Sequence, residues 1–413
     1  MKSATTMAAP TISAGSRTPA RTQRVGSVDV LRGLVMVIMA LDHVRDFFTS
    51  STINPTDPRL TNLGLYLSRW ITHICAPTFV FLAGTAIYLQ MRRKSKSQLS
   101  RFLLTRGLWL IFLECTLLHV ILTFNWQWNM QVLNILWMIG LSMIVMAGVI
   151  HLPMPAVAVF GSILILGHNL LDRVPVTSFG QFGWLWRILH VQSFLTGDPA
   201  HLPVLVAYPL IPWPGVMALG FAFGPLLSHD PGMRRKWLVR GGVLMIAVFA
   251  LLRLPNIYGD PQRWSAQATP LRTAFSIFNV TKYPPSLQFL LITLGISALL
   301  MAMIDWAEQN GKLGRVRRVL DVYGRAPFFY FLLHFLMAHA LALFTAMAMG
   351  KNWRWFTMEF PQGGIITSQL PGFGFSLPVV WCVWILVVAL CYPICRWNAD
   401  LKQSRRYPFL SYL

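Results

Sequence analysis

The residues able to do chemistry gather in and beside one apolar run. Between positions 28 and 48 stand Asp29, Arg32, Asp42, His43, Arg45 and Asp46. A charge at the centre of a bilayer is costly, so ionisable residues in such a segment are expected to face a bundle interior and to be functional. On a helix rising about 1.5 Å per residue, Asp29 and Arg32 lie near one end and Asp42 to Asp46 about 20 Å further on. Asp42 and Asp46 are one turn apart, and Asp42 and Arg45 are neighbours on one face, whereas Asp42 and His43 point about 100° apart. In the next run Arg69 and His73 share a face at i, i+4 and reach the same depth as His43. Two structural readings stand beside the functional ones: Asp29 with Arg32 as a pair at the helix start, and Arg45 with Asp42 as a pair that settles its end.

Other polar residues lie deeper in the chain. His119, His168 and His339 fall at the same end of the bundle, with His334 nearer the middle, and each taken singly reads as a hydrogen-bonded structural histidine. His334 and His339 are five apart and so lie on different helix faces, which leaves no ligand pair and no expected metal site. Glu114 is the only acidic residue deep in its run, and it reads equally as a structural hydrogen-bonding group or a proton handler. Prolines crowd Tyr208 to Gly215 and Lys282 to Ser286. They either open helices or break them, and a break leaves backbone groups to be satisfied by protein or by water in a cavity.

The elements that must hold these residues follow from composition. Of 413 residues, 55% are hydrophobic and only 12% are Asp, Glu, Lys or Arg, about half the charged share of a soluble domain. The apolar residues fall in runs of roughly 20, long enough to cross about 30 Å of hydrocarbon as helices. The runs lie at about 28–48, 67–90, 103–124, 131–151, 154–171, 204–227, 237–257, 284–305, 326–349 and 374–395, with a further amphipathic or re-entrant helix near 181–196. The expectation is an all-α polytopic bundle of ten or eleven spans. Residues 25–396 form one membrane domain between a basic N-terminal tail, 1–24, and a C-terminal tail, 397–413. With the N-terminus inside, 23 of the 35 Lys and Arg fall in cytoplasmic segments, which places both termini in the cytoplasm. The net charge of +21 therefore reads as topology and not as a nucleic-acid surface. Five cysteines without repeated spacing read as apolar packers.

The blocks Arg24-Val-Gly-Ser-Val-Asp29-Val-Leu-Arg32-Gly33 and Met39-Ala-Leu-Asp42-His43-Val-Arg45-Asp46 resemble the start of the heparan-α-glucosaminide N-acetyltransferase-like family of membrane acyltransferases, its bacterial members especially. The likeness continues through Trp70 to Gly84, Gln131 to Gly140, Tyr208 to Gly220, Lys282 to Leu287 and Gly324 to His334. The resemblance implies an integral enzyme of a bacterial-type plasma (inner) membrane. It would move an acetyl or acyl group from cytoplasmic acetyl-CoA (acyl-CoA) to a sugar or cell-envelope glycan on the other side, with no permanently bound cofactor. Its partners would be the lipid bilayer, acyl-CoA and the acceptor, with a homodimer left open.

Under that reading His43 is the expected base or acyl carrier, with Asp42 or Asp46 as its orienter and His73 as second histidine. Because Asp42 and His43 diverge on a regular helix, the helix should end or distort there unless Asp46 is the orienter. Arg69 would hold the acceptor or a developing oxyanion, with Arg45, Tyr208, Trp213, Lys282 and His334 as further substrate contacts. Arg32, Arg92, Arg93 and Arg325 would hold the donor's phosphates. A proton-coupled secondary transporter and a non-enzymatic membrane scaffold are the alternatives.

Overall fold

The computed structural model describes residues 26–126, 128, 130–195, 202–357 and 370–403. The expected tail 1–24 and the part of the C-terminal tail beyond 403 lie outside them. The first helix, α1 (Gly26–Phe48), runs without interruption, with Asp29 in its first turn and Arg45 in its last, each of the sign the helix dipole favours. Next, α2 (Leu63–Trp70) starts where the Asn62 side chain accepts from the Leu65 amide. A tight turn, Ile71–Ile74, carries it into α3 (Cys75–Met91). A Ser95–Gln98 capping box opens α4 (Lys96–Leu113), which passes through a wide turn, Glu114–Leu118, into α5 (His119–Thr123).

The later helices are α6 (Ile135–Val149), α7 (Met154–Gly167), α8 (Gly183–His190), α9 (Trp213–Phe223), α10 (Pro231–Arg253), α11 (Pro270–Phe278), α12 (Leu287–Gln309), α13 (Gly314–Arg325), α14 (Pro327–Ala348) and α15 (Leu377–Gln403). Each expected apolar run contains a helix, and α8 falls inside the expected amphipathic stretch. Among the described residues six helical segments are long and apolar enough to cross a membrane: Leu63–Met91, Lys96–Thr123, Met154–Leu171, Leu287–Gln309, Pro327–Ala348 and Leu377–Lys402. Ile135–Val149 and Trp213–Ser228 are apolar but shorter.

One feature differs from the expectation. The chain is not wholly helical: β1 (Gln131–Leu133) pairs in parallel with β3 (Val204–Val206), which pairs antiparallel with β2 (Ser193–Phe194). β1 and β3 occupy the heads of two expected spans and β2 the end of the expected amphipathic stretch, where connecting backbone outside a helix has to find partners. Of the two readings of the proline clusters, the structure takes the one in which they stand at helix starts. Pro214 lies in the first turn of α9, while Pro284 and Pro285 precede α12, whose cap is Ser286. The last helix, α15, runs on to Gln403.

At the centre is α1, packed against α3, α12, α13, α14 and α15. Its close crossing with α13 depends on two glycines: a Cβ on Gly33 would overlap the Leu320 carbonyl oxygen, and one on Gly324 would overlap the Asp29 carbonyl oxygen. Small residues that let backbones touch are the means of association available to helices that apolar surroundings do not drive together. Near the same end Arg234 pairs with Asp305 at 2.5 Å, and the Ser27 hydroxyl donates to Asp305 at 3.2 Å, tying α1 to α10 and α12.

Gly33→Ala is expected to cost about 3 kcal/mol, as overpacking against rigid backbone does. Gly148→Ala in α6, with open space around it, is expected to be neutral or slightly stabilising. Thermal unfolding of the two variants in detergent checks the contrast.

Candidate active site

The C-terminal half of α1 (Met39–Phe48) carries a charge cluster that neutralises itself. Arg45, buried at 4% exposure, lies 2.7 Å from one oxygen of Asp42 and 2.8 Å from Asp46, and Arg69 from the end of α2 pairs with the other oxygen of Asp42. The i, i+3 spacing puts Asp42 and Arg45 on one face, so α1 supplies most of its own counterions, and Arg69 ties it to the neighbouring helix. Breaking such a pair strands a buried charge, which is the costly outcome.

The His43 ring is held differently. The helix neither ends nor distorts at this point, and the imidazole's hydrogen-bond partner is His334 on α14, not Asp42 or Asp46: His43 Nδ1 lies 2.6 Å from His334 Nε2. His334 Nδ1 in turn sits 2.8 Å from the Tyr330 carbonyl oxygen. A carbonyl only accepts, so His334 carries its proton on Nδ1, and in the neutral ring Nε2 is bare. It therefore accepts from His43 Nδ1–H, which leaves the lone pair of neutral His43 on Nε2. A backbone carbonyl thus sets the tautomer of two histidines in series. Phe335 stacks on the His43 ring at 3.9 Å and fixes its plane.

Two cavities meet at this point. A chamber of about 170 Å³ is walled by Asp42, His43, Asp46, Arg69, Thr72, Asn134, Tyr208, Lys282 and Tyr283 among others. A larger vestibule of about 640 Å³ lies toward the other end of α1, where Arg32, Lys94, Arg106, Arg325 and Lys402 stand among apolar walls such as Phe79, Leu110 and Phe328. Met39, Ile135 and Phe331 line both. The two spaces are therefore neighbours along α1, basic and roomy at one end, polar and narrow at the other.

Of the expected residues, the structure brings Asp42, His43, Asp46, Arg69, Tyr208 and Lys282 to the chamber, and Arg32 and Arg325 to the vestibule. Arg45 and His334 stand directly behind the chamber wall. His73 and Trp213 are buried outside both cavities, His73 against Phe289 and Trp213 against Tyr208. The vestibule wall takes Lys94 and not Arg92 or Arg93, and Arg92 instead donates to Ser228 at the surface. Asp29 and Arg32 pair at 2.9 Å, as the structural reading holds. Glu114 accepts from the Leu136 and Trp137 amides at 2.9 and 3.1 Å and so caps the start of α6. His339 is held between the carbonyls of Ile121 and Phe356, both at 2.9 Å, and His168 contacts the Ile165 carbonyl. Among the described residues no three potential ligands converge on a metal position.

Lys94 stands in the basic run 92–94 that the sequence offers for the donor's phosphates, whereas sequence reasoning missed Arg106, Lys402 and Asn134. For Arg106 a signal exists, because it continues the three- and four-residue spacing of the buried Leu99, Leu103 and Leu110. Asn134 heads α6, and its side chain makes no hydrogen bond among the described residues, so its amide is available to a ligand in the chamber.

A family model described as heparan-alpha-glucosaminide N-acetyltransferase, catalytic, matches residues 24–255 of the chain. That stretch holds α1, Arg69, Asn134 and Tyr208, and stops short of Lys282 and His334. A search among curated proteins returns no match.

Arg69→Met should destabilise the protein by about 3 kcal/mol, because Asp42 keeps only Arg45. Adding Asp42→Asn should recover part of that loss. A double-mutant cycle on unfolding midpoints reads the coupling, and purely additive effects would show that the pair does not bear on stability.

Proposed function

From the premise that the chain belongs to the heparan-α-glucosaminide N-acetyltransferase catalytic family, we propose that it transfers an acetyl or other acyl group from cytoplasmic acyl-CoA to a sugar or glycan on the far side of a bacterial-type inner membrane. The family makes it a membrane acetyltransferase. The residues suggest how the steps are divided.

In this reading ten spans cross the membrane with both termini in the cytoplasm, as the Lys and Arg distribution favours. The vestibule then opens inward, and Arg32, Lys94, Arg106, Arg325 and Lys402 offer the charge that a CoA's phosphates require. Its apolar walls suit the pantetheine arm and the acyl group. The thioester would reach the chamber past Met39, Ile135 and Phe331, and the acceptor would approach from the opposite side.

The observation that carries the proposal is the ordered pair His334–His43. With its lone pair on Nε2, His43 can take the proton from an acceptor hydroxyl or amine as that group attacks the thioester carbon. The C–S bond breaks, and the imidazolium returns the proton to the departing thiolate. A covalent variant, in which Nε2 itself takes the acyl group and passes it on, uses the same atom. The Asn134 amide and the Arg69 guanidinium are the donors available to a developing oxyanion. Asp42, the neighbouring residue, favours the positive charge that His43 acquires on protonation.

His43→Ala should abolish transfer from labelled acetyl-CoA to sugar in proteoliposomes, a loss of at least about 10²-fold. His334→Ala should lower kcat by a similar factor with KM for acetyl-CoA unchanged, and should shift the acid limb of the kcat–pH profile, since it acts through His43. Full activity in His43→Ala would overturn the assignment. A His334→Ala effect confined to protein yield would reduce that residue to packing.

A further inference from the structure

Lys282 is a cation at the chamber wall that makes no ion pair with a carboxylate among the described residues. Both carboxylates of the cluster are committed: Asp42 to Arg45 and Arg69, and Asp46 to Arg45. Lys282 lines the same chamber, yet among the described residues its side chain has no ion pair or hydrogen bond, only the Tyr283 ring 5.3 Å from Nζ. The chamber wall itself carries Arg69 and Lys282 against Asp42 and Asp46; with Arg45 directly behind it, three cations stand against two carboxylates among the described residues, an excess of one positive charge around the chamber. The field is felt at Tyr283, just ahead of α12. Burial raises its phenol, but Lys282 and Arg69 bring it below its ordinary value.

The lysine is also fixed in place by a built turn. Asp260 accepts from the Thr281 amide at 2.8 Å, the Thr281 hydroxyl at 2.9 Å and the Ser286 hydroxyl at 2.7 Å, clamping both sides of Lys282. Arg253, 1% exposed, donates to the carbonyls of Ser276, Ile277 and Asn279 just upstream. A charge held in a narrow, partly dry space without a partner costs free energy unless a ligand brings the opposite charge.

We infer that the acceptor is an anionic sugar, with carboxylate or phosphate oxygens seated on the Lys282 ammonium and a ring hydroxyl or amine presented to His43. The inference rests on the acyl-transfer reading and names the class of its acceptor. The chamber's 170 Å³ suits a single sugar unit, so the anion belongs to the reacting sugar or is attached directly to it. The hydroxyls of Tyr208 and Tyr283, 3.4 Å apart, stand ready beside the anion.

The test is calorimetric titration of the full-length protein in lipid nanodiscs with methyl glucoside, glucuronic acid, glucose 6-phosphate and inorganic phosphate. At least one anionic sugar should bind about tenfold or more tightly than methyl glucoside, the worth of one charge-assisted contact, and glucose 6-phosphate should outbind inorganic phosphate. The preference should vanish in Lys282→Gln and persist in Lys282→Arg, with Lys282→Met as a second uncharged variant and gel filtration confirming that each is folded. Equal binding of neutral and anionic sugars, no sugar binding at all, or a preference that survives the loss of the charge would overturn the inference. Inorganic phosphate binding as well as glucose 6-phosphate would overturn it too, by revealing a bare anion site. Acetyl-CoA binding is measured alongside. Its absence beside an intact anion preference would count against the acyl-transfer reading and leave the Lys282 site standing.

Discussion

Buried charge must be neutralised locally, and the C-terminal half of α1 is organised around that requirement. Arg45 stands between Asp42 and Asp46, and Arg69 completes the set from the next helix. Mutual pairing lowers the cost of holding these charges inside the bundle, so the cluster fixes how α1 is rotated and how deep the turn after α2 sits beside it. With Asp42 facing Arg69, the next residue, His43, is turned about 100° away toward α14. The histidine's position is thus a consequence of where its charged neighbours must point.

That arrangement separates two tasks often given to one carboxylate. Asp42 and Asp46 serve as counterions, while the ring of His43 is oriented by a neutral partner, His334, whose tautomer is set by the Tyr330 carbonyl. In the proposed reaction the imidazolium is stabilised through space by Asp42 and not through a shared proton. The apolar residues common to both cavities, Met39, Ile135 and Phe331, would form an apolar throat between the basic compartment and the polar one in the proposed transfer, which favours keeping water from the reacting thioester.

Much of this was legible in the sequence and some of it could not be. Apolar runs located the helices because length and hydropathy are local properties, and i, i+3 spacing revealed the Asp29–Arg32 and Asp42–Arg45 pairs for the same reason. The His43–His334 contact joins residues 291 apart, and no local rule pairs them. The short strands 131–133 and 204–206 hid inside apolar runs that continue as helices, where a three-residue strand has no periodicity to show. His73 shares a helix face with Arg69 in principle, but the tight turn at Ile71–Ile74 rotates it away from the chamber. The vestibule's Lys94 and Lys402 come from opposite ends of the chain and converge only through packing. Charge alone does not distinguish Lys94 from its neighbours Arg92 and Arg93.

The central claim is that one continuous route joins the basic vestibule to His43. Electron cryomicroscopy of the protein in nanodiscs with a non-transferable thioether analogue of acetyl-CoA tests it directly. The account predicts nucleotide phosphates among Arg32, Lys94, Arg106, Arg325 and Lys402, and the acyl carbon beyond Phe331 beside Nε2 of His43. A nucleotide bound elsewhere on the protein, or an acyl group that stops in the vestibule with Met39, Ile135 and Phe331 closed before it, would contradict the account.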